Sequence, residues 1–159
     1  MKITLKALAS VLGIVTLLTI FGCGGDPPPS KSIQDQQLEK LSATWNVSTV
    51  TLSPGPVDKT ADYKTSNFQL VISGTPGTNS FSYSTSGRPA ISPWPATGTA
   101  TFGVKPETQF TRDSDKVDMA YSISADGKTL QINFNFAGAG YPARVSNVKG
   151  DWAFTFVKA

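Results

Sequence analysis

Residues 116–136 read KVDMAYSISADGKTLQINFNF, two runs of alternating apolar and polar side chains around a short polar turn. A period of two is typical of a β-strand with one face buried. The apolar positions are Val117, Met119, Tyr121 and Ile123, followed by Leu130, Ile132, Phe134 and Phe136. The pair Asp126-Gly127 predicts a type I′ hairpin turn, in which both central residues have positive φ. We therefore expect two antiparallel strands with one wet face.

The same alternation recurs in short runs along the chain. It predicts strands at 45–49, 68–72, 80–85, 97–104, 109–112, 143–148 and 152–156. In the run 97–104, Ala100, Phe102 and Val104 share the apolar face. The 14 glycines and 11 prolines among 159 residues fit a domain with many turns.

A short helix is predicted before the first strand. Ser32 is the expected N-cap, with Asp35 in the first turn and Leu38 and Leu41 on one face. The chain is therefore predicted to be all-β: an antiparallel up-and-down β-barrel of about eight strands with a short N-terminal helix. A β-sandwich is the alternative, because both folds bury one-sided strands.

Composition excludes several kinds of site. The chain has no histidine and one cysteine, which excludes a Ser-His-Asp triad, a Cys-His pair, a histidine metal site and an intramolecular disulfide. We expect no catalytic residues, no metal and no cofactor. Lys2 and Lys6 lie in the predicted signal peptide. Without them, the chain has 12 basic and 11 acidic residues. This balance gives no reason to expect a nucleic-acid partner.

The N-terminus has the pattern of a secretory signal peptide over residues 1–22. Lys2 and Lys6 precede an uncharged apolar stretch that is short for a membrane-spanning helix. Its end, Ile20-Phe21-Gly22-Cys23, resembles the lipobox of bacterial lipoproteins of the Bacteroidota type. The resemblance implies a diacylglyceryl thioether on Cys23, cleavage before it and acylation of the new amine. Residues 23–32 would then form the lipidated cysteine and a Gly/Pro-rich tether, in which three consecutive prolines favour polyproline II.

Lipoprotein sorting rules suggest where such a protein resides. An aspartate after the cysteine favours retention in the inner membrane of enteric bacteria, whereas here Gly24 follows Cys23. The resemblance therefore implies a bacterial cell envelope protein of the outer membrane, anchored by the acyl chains of Cys23, with its periplasmic or surface orientation left open.

Residues 33–159 form the predicted domain. Its segment Leu41-Ser42-Ala43-Thr44-Trp45 resembles the Leu-x-Gly-x-Trp start of lipocalin-like (calycin) domains, with Ala43 in place of the glycine, and residues 58–63 are also similar. The resemblance implies a barrel open at one end that can hold an apolar ligand. It also implies that Trp45 plugs the closed end and that a late arginine, Arg112 or Arg144, packs over it.

Three aromatic residues are candidate ligand-binding residues: Trp94, Tyr141 and Tyr83. Trp94 lies between two prolines in the segment 87–95, where it either offers a stiff stacking surface or folds back as a lid over one barrel end. Asp113, Asp115 and Asp118 lie close together in sequence. Their stretch lacks the further ligands and glycine turn of a calcium loop, which favours a solvated turn.

Two function classes follow from these expectations. The first is a membrane-anchored, non-catalytic lipoprotein whose lipocalin-like domain holds a small apolar ligand. The alternative is a surface accessory module that binds a glycan or protein partner through loop aromatics. The barrel interior discriminates between them, because a cavity of a few hundred Å³ favours the first class and an interior filled with phenylalanine favours the second.

Overall fold

The computed structural model describes residues 30–55, 57–141 and 148–159. In these residues the helices are α1 (Ile33–Leu41) and α2 (Thr60–Thr65). The strands are β1 (Ala43–Ser53), β2 (Val57–Asp58), β3 (Gln69–Ser73), β4 (Ser80–Ser86), β5 (Thr97–Phe102), β6 (Gln109–Arg112), β7 (Val117–Ile123), β8 (Thr129–Phe136) and β9 (Gly150–Lys158).

The strands form a closed antiparallel barrel. The hydrogen-bonded order is β2-β1-β3-β4-β5-β6-β7-β8-β9, and β1 also pairs with β9 along most of its length. Eight strands therefore close the barrel in up-and-down order, while the short β2 is an extra strand beside β1. The predicted barrel is confirmed, and its closure excludes the sandwich.

Inward-facing side chains fill the barrel with aromatic rings. On β8 the burial alternates strictly, as its sequence predicts, with Phe134 and Phe136 inside. Phe134 stacks against Phe154 of β9, with ring centroids 6.0 Å apart and planes 1° from parallel. Phe68 adds a further ring 6.1 Å from Phe154. Burial of these large rings is the main stabilising contribution of the barrel.

Helix α1 closes one end of the barrel, called the helix end below. The Ser32 hydroxyl accepts a hydrogen bond from Asp35 N (3.1 Å), so the predicted N-cap is confirmed. Leu38 and Leu41 are buried, as their spacing predicts. Trp45 is fully buried at this end, and its Nε1 donates to the Leu41 carbonyl (2.8 Å).

Of the two arginines that the lipocalin resemblance implies over Trp45, Arg112 does not lie there. The Lys158 ammonium lies 5.8 Å from the Trp45 ring centroid. Arg112 instead lies over Trp94, 5.5 Å from its centroid. Arg112 belongs to the far end of β6, beyond the reach of Trp45 near the start of β1. The alternative residue, Arg144, lies outside the described residues.

Two local predictions are corrected. The strand predicted over 97–104 ends at Phe102, and Val104 is 99% exposed, because the chain turns after Gly103 and Thr108 N bonds back to the Lys105 carbonyl. The hairpin between β7 and β8 is present, but Asp126 lacks the positive φ of a type I′ turn and Gly127 has it (φ 69°).

The physical reason for the second difference lies in the turn's hydrogen bonds. Gly127 N donates to the Ser124 carbonyl, and the Asp126 carboxylate accepts from Lys128 N (3.0 Å). This side-chain bond stabilises the turn without a left-handed aspartate. The strand predicted over 143–148 falls, except for Val148, outside the described residues.

Candidate binding site at the loop end

The barrel end opposite α1, called the loop end, is covered by connections between strands. Residues 87–96 join β4 to β5, residues 113–116 join β6 to β7, and residues 137–141 follow β8. Antiparallel pairing brings these connections to the same end of the barrel. The segment containing α2 lies there too, after the end of β1.

Residues 87–96 fold into the barrel mouth. Trp94 is 1% exposed, and its ring contacts Tyr83, Phe134 and Phe154 edge-on, with centroids 5.5–5.8 Å apart. The Thr85 hydroxyl donates to the Pro95 carbonyl (2.7 Å), which holds the loop against β4. Trp94 is therefore packed as a lid over the interior, one of the two interpretations that the sequence left open.

Arg112 lies at the centre of the loop end with none of its side chain exposed. Its Nε and Nη2 donate to the two oxygens of Asp115 (2.9 and 2.7 Å), and its Nη1 donates to the Pro93 carbonyl (3.0 Å). The guanidinium carbon is 5.5–5.7 Å from four ring centroids, those of Trp94, Phe134, Phe136 and Tyr141. A planar, weakly hydrated cation suits this bidentate and aromatic environment.

Tyr141 completes the polar cluster. Its hydroxyl donates to Asp115 Oδ2 (2.8 Å), and its backbone N donates to the Ser92 carbonyl (3.1 Å). Asp115 and Arg112 together thus tie three connections of the loop end, and 23% of the Asp115 side chain is exposed. Partial burial opposes ionisation of this carboxyl, but Arg112 and Tyr141 hold the pKa of Asp115 below its usual value of 3.8.

A groove of about 450 Å³ runs beside this cluster and is called the rim groove below. Its lining combines a carboxylate, two aromatic rings and an exposed glycine-containing backbone. The lining residues are Asp115, Val117, Phe136, Ala137, Gly138, Ala139, Gly140 and Tyr141. An aromatic face beside hydrogen-bonding groups is suited to a small amphipathic ligand such as a sugar ring.

Two of the predicted aromatics lie in the interior and one lies at the groove. Tyr83 is 5% exposed and crosses over Gly98 of β5, where an added Cβ would come within 2.4 Å of the Tyr83 hydroxyl. Trp94 is the lid described above. Tyr141 is partly exposed and lines the groove. The structure thus brings Trp94 and Tyr141 together around Arg112, whose central position the sequence pattern did not reveal.

Three buried polar atoms have no hydrogen-bond partner among the described residues: Tyr63 Oη, Tyr83 Oη and Trp94 Nε1. Tyr63 belongs to α2, and its ring meets Phe154 edge-on at 5.2 Å. Burial raises the pKa of Tyr83 to about 12, an effect that the nearby charge of Arg112 partly offsets. Buried polar atoms without partners are unusual in folded proteins.

The three acidic residues of the sequence have separate partners. Asp113 accepts hydrogen bonds from Thr99 and Thr101 (2.6 and 2.9 Å), and Asp118 accepts one from Thr111 (2.6 Å). Asp115 bonds Arg112, as described above. Within residues 30–55, 57–141 and 148–159, no group of three or more Cys, Asp or Glu side chains is placed to hold a metal ion.

The chain matches no protein-family model and no curated protein. The helices in the described part of the chain are too short or too polar to cross a membrane.

Proposed function

We propose that the chain is a lipid-anchored, non-catalytic envelope lipoprotein whose lipocalin-like barrel binds its ligand at the rim groove. The anchor is the acylated Cys23, and the location is the outer membrane of a bacterial cell. The ligand is a small amphipathic molecule, with a glycan ring favoured, which corresponds to the accessory-module class. No nucleic-acid partner is proposed.

One observation carries this choice between the two function classes. The barrel interior is occupied by packed rings, with Trp94, Phe134 and Phe154 in mutual contact. The rim groove, in contrast, is accessible and holds a partly exposed tyrosine beside a carboxylate. A sugar ring can stack on the Tyr141 face while its hydroxyls donate to Asp115.

The anchor is tested with Cys23→Ser in a Gram-negative host. The wild-type chain should carry the lipid mass at Cys23 and fractionate with membranes, whereas the variant should lose both, because two or more acyl chains give stable attachment. Membrane retention of the variant would contradict the anchor.

Ligand binding is tested by mass spectrometry of co-purifying glycans and lipids, followed by binding measurements with the compound found. Tyr141→Ala should weaken its binding at least about tenfold, because the stacking face is removed. Tyr141→Phe is the matched control, since it keeps the ring and removes only the hydroxyl bond to Asp115. Equal affinity of Tyr141→Ala and the wild type would contradict the rim groove as the site.

The unpartnered atoms of Tyr63, Tyr83 and Trp94 favour a second candidate function, the holding of a small apolar ligand in the interior. Movement of residues 87–96 out of the mouth would expose the Phe134 and Phe154 rings together with polar groups able to bind a ligand headgroup. Trp94→Ala should then increase uptake of a fluorescent fatty acid. No uptake by either the wild type or this variant would contradict the interior site.

A further inference from the structure

The described chain begins at the helix end of the barrel, directly after the predicted tether. Lys31 is eight residue steps from Cys23, and at about 3.3–3.6 Å per step the chain between them spans at most about 29 Å. Lys31 lies directly before α1, which closes the helix end. A lipid on Cys23 would therefore keep this end of the barrel within a short distance of the bilayer.

Exposed apolar side chains are concentrated toward the same end. Val104, which is 99% exposed, lies in the connection between β5 and β6, and Ile33 is the first residue of α1. Val157 pairs with Asn46, and Val71 pairs with Thr44, both close to the start of β1. Among the described residues, the exposed Val57 lies apart from this group, beside the end of β1.

The connection that bears Val104 and helix α1 both contact Tyr121 of β7. The Tyr121 hydroxyl donates to the Pro106 carbonyl and lies 3.4 Å from Gln37 Oε1 of α1. Ile33 is one helical turn before Gln37 and therefore lies on the same side of α1. Val104 and Ile33 therefore both lie at the helix end of the barrel, the end at which the described chain begins.

We propose that this helix-end surface, led by Val104, docks on the lipid leaflet that holds the acyl chains of Cys23. The inference rests on the proposed lipid anchor. An apolar side chain on a turn beside a lysine suits the boundary between headgroups and acyl chains. The rim groove, at the opposite end of the barrel, then faces away from the membrane.

The charges at the helix end nearly cancel, so we expect apolar contacts to dominate the docking. Five lysines at the helix end, Lys31, Lys40, Lys105, Lys128 and Lys158, are nearly balanced by Asp35, Glu39, Glu107 and Asp126. Docking is therefore expected on zwitterionic vesicles and should change little with added anionic lipid or salt.

The experiment uses two variants of the full, processed lipoprotein. Each variant carries a single environment-sensitive fluorophore at one end of the barrel. Cys23 is the chain's one cysteine and is blocked by its thioether, so Val104→Cys carries the label at the helix end. Ala61→Cys, on the exposed side of α2, is the matched control at the loop end. Both proteins are reconstituted into phosphatidylcholine vesicles, and intact mass confirms the lipid on each sample.

Docking predicts blue-shifted emission at position 104 and at least about twofold protection from an aqueous quencher relative to position 61. A lipidated, vesicle-bound protein whose two labels are equally exposed to the quencher would overturn the docking surface and leave the anchor intact. A protein without lipid that remains unbound would overturn the anchor and the docking surface together. Protection at position 61 in place of position 104 would reverse the proposed orientation and contradict it.

Discussion

The two ends of the barrel both contain a buried tryptophan beneath a cation, but they are built differently. At the helix end, Trp45 donates to a carbonyl four residues earlier, and its cation, Lys158, is exposed. At the loop end, Trp94 Nε1 has no partner among the described residues, and its cation, Arg112, is fully buried.

The hydrogen bond of Trp45 joins residues close together in the chain, whereas the Arg112–Asp115 cluster joins residues far apart. At the helix end, the hydrogen bonds of the Trp45 indole and of the α1 N-cap join residues three or four positions apart. The loop end depends on Arg112 and Asp115 joining segments distant in the chain, including Pro93 and Tyr141. A region held by one charged cluster can rearrange when that cluster is disturbed, which suits a binding site better than a structural plug.

The largest expected loss of stability follows from removal of the buried cation, Arg112. Arg112→Met should lower the free energy of unfolding by about 3–5 kcal/mol, because Asp115 and the Pro93 carbonyl lose their partner. Lys158→Met, the matched change over Trp45, should cost about 1 kcal/mol or less, since its cation is exposed. Urea unfolding measures both values, and comparable losses would remove the distinction between the two ends.

The next largest difference in the free energy of unfolding is expected between variants of the two tryptophans. Trp45→Phe should lower the free energy of unfolding by about 2 kcal/mol or more, because it removes a made hydrogen bond and leaves a smaller ring. Trp94→Phe should cost about 1 kcal/mol, since the group lost has no partner among the described residues.

Trp152 provides the control for that comparison. Its Nε1 donates to the Val148 carbonyl (2.8 Å), again four residues earlier, so Trp152→Phe should resemble Trp45→Phe in denaturant unfolding. The interpretation would be contradicted if Trp94→Phe were the most destabilising of the three variants.

The strands and the helix end could be predicted from sequence because their determinants are local. Alternation identified the inward faces of β7 and β8, and capping identified α1. Val104 was wrongly placed inside because alternation alone does not mark where a strand ends. The short β2 and α2 follow β1 without a period that distinguishes them from a loop.

The candidate site was harder to predict because its contacts join separate parts of the chain. The sequence favours a solvated turn around Asp115, although the spacing of three residues from Arg112 does allow the bidentate pair. Nothing local indicated that four rings from other segments would surround the guanidinium. The close pairing of Tyr83 with Gly98 also depends on strand register, which only the closed barrel fixes.

The smallest expected contrast is in acid stability, where each end has a carboxyl whose pKa is lowered. At Asp35 the cause is chiefly the hydrogen bond from Gly77 N, with help from Ser32. At Asp115, Arg112 and Tyr141 outweigh partial burial. A folded-state pKa below the unfolded value near 3.8 means that the unfolded chain binds more protons, so stability falls as acid protonates the carboxyl.

This contribution to stability is present above about pH 4 and is lost as the pH falls through the folded-state pKa. Between pH 5 and pH 2, the unfolding free energy should therefore fall less steeply in Asp115→Asn than in the wild type. Asp35→Asn should alter the slope less, because its carboxylate is solvated and has no buried cation beside it. Chemical denaturation at stepped pH measures the slopes, and a larger change in Asp35→Asn would show that the helix end, not the Arg112 cluster, governs the acid response.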